Sequence, residues 1–191
     1  TEFIYTILEK LKEEMAGTEQ VKQLNEMFQI VISSKKECKP INFYNCYEET
    51  SDFINIPVNS DKPIKLYNCI KEYLKKCSFD YFQDGNKYKC YEWREIKRLP
   101  PVLPIYLNRI NHTNTNEKLT TPVIFTESMY FDDFSNIIDD KYRLYAVLYH
   151  YGIANSGHYY ALIREFPSKE WYKYNDNKVS KIKSKKLIDK N

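Results

Sequence analysis

Glycine is scarce in this 191-residue chain, at 4 residues, so few places can take a tight turn. Net charge is also small: 29 Lys and Arg against 26 Asp and Glu give a formal +3, far below the field that a dedicated nucleic-acid binder concentrates on one face. Internal repeats and low-complexity stretches are absent. A charged fraction of 29% is too high for a bundle of membrane helices, and 42% hydrophobic residues is too many for an intrinsically disordered chain. Nucleic acid and membrane are therefore not expected as partners. The five cysteines are an odd number at irregular spacing, with no charged-then-apolar leader ahead of them, and suggest neither secretion nor a disulfide framework. The expectation is a reducing, intracellular setting, cytoplasmic or nuclear.

Tyrosine is abundant instead, at 18 residues beside 10 Phe, and such rings favour strands. Against a prior of roughly 150 residues per domain, the length allows one domain, or one core with an elaborate extension. Phe3, Ile4, Ile7, Leu8, Leu11 and Met15 recur at three- and four-residue spacing and predict an amphipathic helix. Phe28 to Ser33 and Asn42 to Pro57 read as strands, and Ile64 to Lys76 as a second helix opened by Asp61-Lys62-Pro63. Asp84-Gly85 between aromatic runs predicts a hairpin. Pro100-Pro101 breaks the chain before Val102 to Ile110. Tyr142 to Tyr151, His158 to Phe166 and Trp171 to Tyr174 then read as an antiparallel meander, followed by a solvated lysine-rich end from Lys181 to Asn191.

The three histidines can be sorted by setting. His112 lies in a polar loop and reads as solvated; His150, among large apolar strand residues, reads as packed in or beside the sheet with one hydrogen bond. His158 opens a strand directly after Asn155-Ser156-Gly157, where glycine permits a close backbone approach or a positive φ. Trp171-Tyr-Lys-Tyr-Asn175-Asp176 follows thirteen residues on. If the two strands pair, Asn175 or Asp176 comes beside the His158 imidazole. A strand-initial His oriented by Asn or Asp is two thirds of a nucleophile, base and orienter triad; an ordinary hairpin with polar ends has the same pattern.

Tyr142-Arg-Leu-Tyr-Ala-Val-Leu-Tyr-His150, Asn155-Ser-Gly-His-Tyr-Tyr-Ala161 and Trp171-Tyr-Lys-Tyr-Asn-Asp-Asn-Lys-Val179 resemble the histidine box of the ubiquitin-specific proteases, papain-like deubiquitinating enzymes. Leu99-Pro-Pro-Val-Leu-Pro-Ile-Tyr-Leu-Asn-Arg-Ile110 is similar to that family's Leu-Pro-x-Val-Leu segment and the strand after it, and Thr1-Glu-Phe3 to its Glu-Phe helix start. The resemblance implies an α+β chain: part of a papain-like cysteine protease fold, with a mostly antiparallel palm sheet, a β fingers extension and N-terminal thumb helices. Its parts would be the end of the thumb at 1–27, fingers with an intervening helix at about 28–98, palm at about 99–182 and a basic tail at 183–191. It further implies that His158 is the general base, Asn175 the third triad member and Asp176 an assisting neighbour. Ubiquitin would be the partner, its tail met by Glu2, Arg109, Ile110, Asn155, Ser156, Gly157 and Tyr159, under a mobile blocking loop from Gly152 to Gly157. No cofactor is implied.

The family's cysteine box, Asn-x-Cys-Tyr-x-Asn, is missing. The sequence opens at Thr1 straight into a helical pattern, as if an upstream segment had been removed, so the chain alone is expected to be inactive. Cys46, in Tyr44-Asn-Cys-Tyr-Glu48, echoes the box only superficially, because its surroundings read as a strand. The alternatives are a nucleophile-less relative that grips ubiquitin without cutting, or a structural sheet domain that uses no ubiquitin. The family's zinc-binding CxxC pairs read here as Cys38-Lys-Pro-Ile41 and Cys90-Tyr-Glu-Trp93. Two thiolates cannot close a tetrahedral site, so no metal is expected, and Ile41 and Trp93 are left to pack the finger tip.

Overall fold

The apolar period at the start of the chain forms helix α1 (Glu2–Glu14) in the computed structural model, which describes residues 2–58, 60–110, 118–132, 134, 141–153 and 156–183. A second helix, α2 (Glu19–Phe28), follows where the apolar period predicts none, although the resemblance implies thumb helices over 1–27. Val21, Leu24 and Phe28 carry its period, but it is short and mostly polar. Phe28 therefore closes a helix, and the first strand begins at Ile30. The described residues fall into two compact units, one drawn from Thr1–Ile56, Ile70–Leu107 and Asp132–Ile138, the other from Pro57–Cys69, Asn108–Phe131 and Asp139–Asn191.

The first unit carries a four-stranded antiparallel sheet built from β1 (Ile30–Cys38), β2 (Phe43–Ser51), β5 (Cys77–Gln83) and β6 (Asn86–Arg98), in the order β2-β1-β6-β5. Strands β1 and β2 meet through a short 3-10 turn at Lys39–Ile41. β5 and β6 meet through Asp84-Gly85 at φ 50° and 76°, the two-residue turn that this dipeptide predicts. The expected strand from Asn42 to Pro57 is broken at Asp52-Phe53, and its second part, β3 (Ile54–Pro57), pairs with β7 (Ile105–Asn108). Ile30, Ile32 and Ile96 are buried where β1 begins and β6 ends, the root of this sheet, and Ile54, Ile56 and Ile70 of the same unit are buried too.

Away from the root that apolar core gives out, because β2 is exposed almost throughout. Lysine stems and rings take over: Lys35 Nζ lies 5.9 Å from the Trp93 ring, Lys36 Nζ 5.9 Å from Phe79, and Lys76 Nζ 4.1 Å from Trp93. Glu95 accepts from Lys35 at 2.6 Å, Lys97 at 2.9 Å and the Trp93 indole at 3.2 Å. Ile41 and Trp93 are only half-buried. The two cysteines beside them, Cys38 and Cys90, are buried and joined by a disulfide. That bond corrects the expectation of unpaired thiols, and it leaves the finger tip unfit for the family's zinc.

In the second unit, β4 (Ile64–Lys65) pairs in parallel with β8 (Val123–Ile124). The predicted helix from Ile64 thus starts two residues late, as α3 (Leu66–Leu74), whose residues are divided between the two units at Cys69 and Ile70. β9 (Ser128–Tyr130) pairs with β10 (Lys141–Arg143). The predicted meander is β11 (Ala146–Ile153), β12 (Ser156–Arg164) and β13 (Trp171–Asn175), extended by β14 (Lys178–Ile182) in sequential order. Leu162 and Trp171 are its buried centre, packed by Leu144, Tyr149, Tyr160 and Ile182. Lys181, expected in a solvated end, lies in β14 opposite Tyr172 and donates to Glu170 at 2.5 Å. No helix among the described residues is long and apolar enough to cross a membrane.

Two measurements check the first unit. Alkylation of the unreduced native protein should label the exposed Cys46 and Cys77 first, the buried Cys69 only on unfolding, and Cys38 and Cys90 only after reduction; complete labelling without reductant would refute the disulfide. The Lys35 and Lys97 ammonium groups hold the Glu95 carboxyl at about 2 against an ordinary 4.5. A folded-state value below the unfolded one stabilises the fold fully above pH 4.5 and is lost as pH falls toward about 2. Glu95→Gln should therefore melt lower than the native protein at neutral pH, with the two melting temperatures converging as the pH falls. The gap should be small, on the order of 1 kcal/mol or less, because the carboxylate is more than a third exposed.

Candidate functional site

His158 and Asn175 meet because of strand register. β12 and β13 pair from Arg164↔Trp171 to Ala161↔Tyr174, so Asn175 is the next residue out, and alternation turns it to the face shared by His158, Tyr160 and Leu162. His158 Nε2 stands 2.5 Å from Asn175 Oδ1. A carboxamide oxygen only accepts, so Nε2 carries a hydrogen and donates it to Asn175. Asp176, in the left-handed region at φ 52°, begins the turn into β14 and sets Oδ2 3.7 Å from the same Nε2. The His158 side chain is 47% exposed, so its ring is open to an incoming group. An imidazole held at Nε2 by an acceptor, in a half-exposed side chain, is arranged for proton transfer through its other nitrogen.

The segment before His158 is tighter than expected. Gly152 and Ile153 belong to β11, and Ser156 and Gly157 to β12, with pairs Ile153↔Ser156, Gly152↔Gly157 and Tyr151↔His158. The predicted loop from Gly152 to Gly157 is thus the mouth of a hairpin, and Asn155 lies outside the described residues. Gly157 is needed for close approach and not for φ: a Cβ there would overlap the His150 ring nitrogen Nε2 and the Tyr151 carbonyl. Gly152, by contrast, takes φ 127°. Tyr159 is exposed and packs its ring 4.6 Å from that of His150. His150 is fixed in place as expected, and Lys118, which the sequence did not single out, donates to its Nδ1 at 3.0 Å. Burial and that ammonium hold the His150 imidazole below its ordinary value, so it stays neutral.

The remaining candidates are scattered in role. Arg109 is half-buried, and its Nη1 donates to the Thr121 carbonyl at 2.5 Å, which engages the guanidinium within the fold. Ile110 is exposed and bridges to Lys118. Ser156 is exposed at the hairpin mouth. Glu2 is the first residue of α1. Cys46 lies in the middle of β2 opposite Lys35, with Sγ 3.3 Å from Ser33 Oγ, and not at a helix start. Burial pushes the Cys69 thiol up, which suits a packed residue and not a nucleophile. Among the described residues no three His, Cys, Asp or Glu side chains gather as a metal ion would need.

All 191 residues match the ubiquitin carboxyl-terminal hydrolase family. The chain belongs to that family. It is 24% identical along its whole length to ubiquitin carboxyl-terminal hydrolase 5 of Schizosaccharomyces pombe and 27% identical to ubiquitin carboxyl-terminal hydrolase 7 of Drosophila melanogaster, spanning 18% of each. It is 33% identical over 72% of its length to ubiquitin carboxyl-terminal hydrolase 48 of Danio rerio, covering 14% of that protein. The fold is that of a solved chain in the Ubp8-Sgf11-Sgf73-Sus1 SAGA DUB module, with TM-score 0.82 and 23% identity over 98% of this chain and 45% of that one. A second structure of that module, bound to ubiquitin aldehyde, aligns with TM-score 0.78 at 21% identity over 98% of this chain and 45% of that one. This chain of the ubiquitin carboxyl-terminal hydrolase family spans 14–18% of the length of those curated relatives.

The hairpin mouth of this hydrolase-family chain can be tested by volume alone. Gly157→Ala should lower stability by roughly 1–3 kcal/mol, because the added methyl meets backbone and a held ring. Thermal denaturation with intact β13–β14 signals is the measurement, and an unchanged melting temperature would show that the packing here is loose.

Proposed function

We propose that this chain is the histidine-bearing part of a deubiquitinase, a thiol protease that hydrolyses the isopeptide or peptide bond at ubiquitin's C-terminal glycine. The nucleophilic cysteine would come from the parent protein outside these 191 residues. The observation that carries the reading is the 2.5 Å bond between His158 Nε2 and Asn175 Oδ1, which commits Nε2 as donor and leaves Nδ1 as base. Family membership and the shared fold support it. Neither strand-borne Cys46 nor buried Cys69 suits the nucleophile's role.

His158 Nδ1 would take the thiol proton; the thiolate adds to the carbonyl carbon of the terminal glycine, and the resulting imidazolium gives its proton to the departing amine. Water, deprotonated by the same nitrogen, then splits the thioester and releases the carboxylate and the thiol. Asparagine suffices as orienter, because a thiolate–imidazolium pair needs only an acceptor for the ring N–H and no full negative charge beside it. Asp176, further off and 74% exposed, would assist by lending negative potential. Ile110, Ser156 and Tyr159, which are exposed, would meet the ubiquitin tail, with Gly157 and, as the resemblance implies, Glu2 and Asn155 as further contacts. Arg109 would contribute indirectly, through its hold on Thr121.

The test is turnover of a ubiquitin C-terminal conjugate by the full-length protein. His158→Ala should lower kcat by roughly 10²–10⁴-fold, and Asn175→Ala by less, since the base survives but loses its orientation. Unchanged turnover in the His158 variant would refute the assignment. A parent protein that binds ubiquitin yet cleaves nothing would instead be the non-cutting relative.

A further inference from the structure

β12 is supported unevenly. Its pairing with β13 ends at Ala161, so residues Ser156 to Tyr160, His158 among them, pair with β11 alone. β11 is itself the edge of the sheet, so one face of its backbone has no described strand to pair with. At that edge a single side chain takes the place of a strand. Lys118 Nζ donates to the His150 carbonyl at 2.7 Å, to the Gly152 carbonyl at 3.1 Å and to His150 Nδ1 at 3.0 Å.

An ammonium has three N–H donors and no acceptor, so these three bonds use its whole capacity. They also fix the His150 tautomer: Nδ1 must offer a lone pair, which puts the hydrogen on Nε2 and sets the plane of the ring. That ring is the surface against which Gly157 packs, at the residue before His158. Lys118 is anchored in turn by its bridge to Ile110 and by the neighbouring bond from Leu119 N to the Arg109 carbonyl at 2.6 Å. Burial lowers the Lys118 ammonium, a cost that three aligned acceptors offset.

We propose that Lys118, acting through His150, is a positioning residue that holds the mouth of the β11–β12 hairpin and thereby the place from which His158 presents its imidazole. The catalytic meaning of that position rests on the deubiquitinase reading; the staple itself does not.

The experiment is hydrogen exchange by mass spectrometry on the full-length protein, comparing Lys118→Met, which keeps the stem and removes the donors, with Lys118→Arg, which keeps charge and donors. In the Met variant, amides of the segment from Tyr149 to Tyr160 should exchange about tenfold faster while those of β13 and β14 are unchanged, and the Arg variant should recover part of the protection. Unchanged exchange in the Met variant would overturn the proposal. So would exchange that rises equally through β13 and β14, because the lysine would then be a general prop of the sheet and not a local one. In parallel, the Met variant should lose kcat on a ubiquitin C-terminal conjugate with KM retained. If the native protein shows no turnover at all, the deubiquitinase reading fails while the exchange data still decide the staple.

Discussion

Antiparallel register is the constraint on which the candidate site depends. Side chains alternate between faces of a sheet, so a slip of one residue between β12 and β13 would send Asn175 to the face opposite His158 and break the bond between them. The register is fixed by burial: Leu162 and Trp171 occupy the inner face and could not be turned to solvent without losing the centre of this unit. The placement of two polar side chains is thus a by-product of apolar packing several residues away. Asp176 follows from the same alignment, since the turn that it opens begins where β13 runs out of inward-facing residues.

The two sheets solve the problem of glycine scarcity and aromatic excess differently. In the second unit tyrosines lie over one another, as Tyr149 and Tyr160 do at 5.0 Å, and their hydroxyl ends reach past the apolar centre. In the first, lysine side chains lie over the Trp93 ring of β6, and a disulfide ties the buried end of β1 to β6. A finger held this way keeps a charged, solvated surface.

Much of this was legible in the residues. The meander reading puts Asn175 or Asp176 beside His158 if β12 and β13 pair, and the observed pairing makes Asn175 the partner. Asp84-Gly85 names its own turn, and α1 its own period. Helix α2 has no clear period because only four apolar residues lie in a polar decapeptide, and β4 has none because a two-residue parallel bridge has no period at all. The Cys38–Cys90 bond depends on which strands become neighbours, which spacing along the chain does not encode. Lys118 was invisible for the same reason: a lysine in a polar stretch looks solvated until the edge of β11 is known to run beside it.

Strand β2 has a consequence of its own. It is an outer strand, with Phe43, Tyr44 and Tyr47 standing clear of any covering layer. A backbone edge beside bare rings is a template that a neighbouring molecule could copy into a growing ribbon. Glu48 and Glu49, next along the strand, act as gatekeepers, because stacking identical chains there would bring like carboxylates together. Edge-to-edge stacking of identical copies along β2 is therefore opposed by two exposed acidic residues.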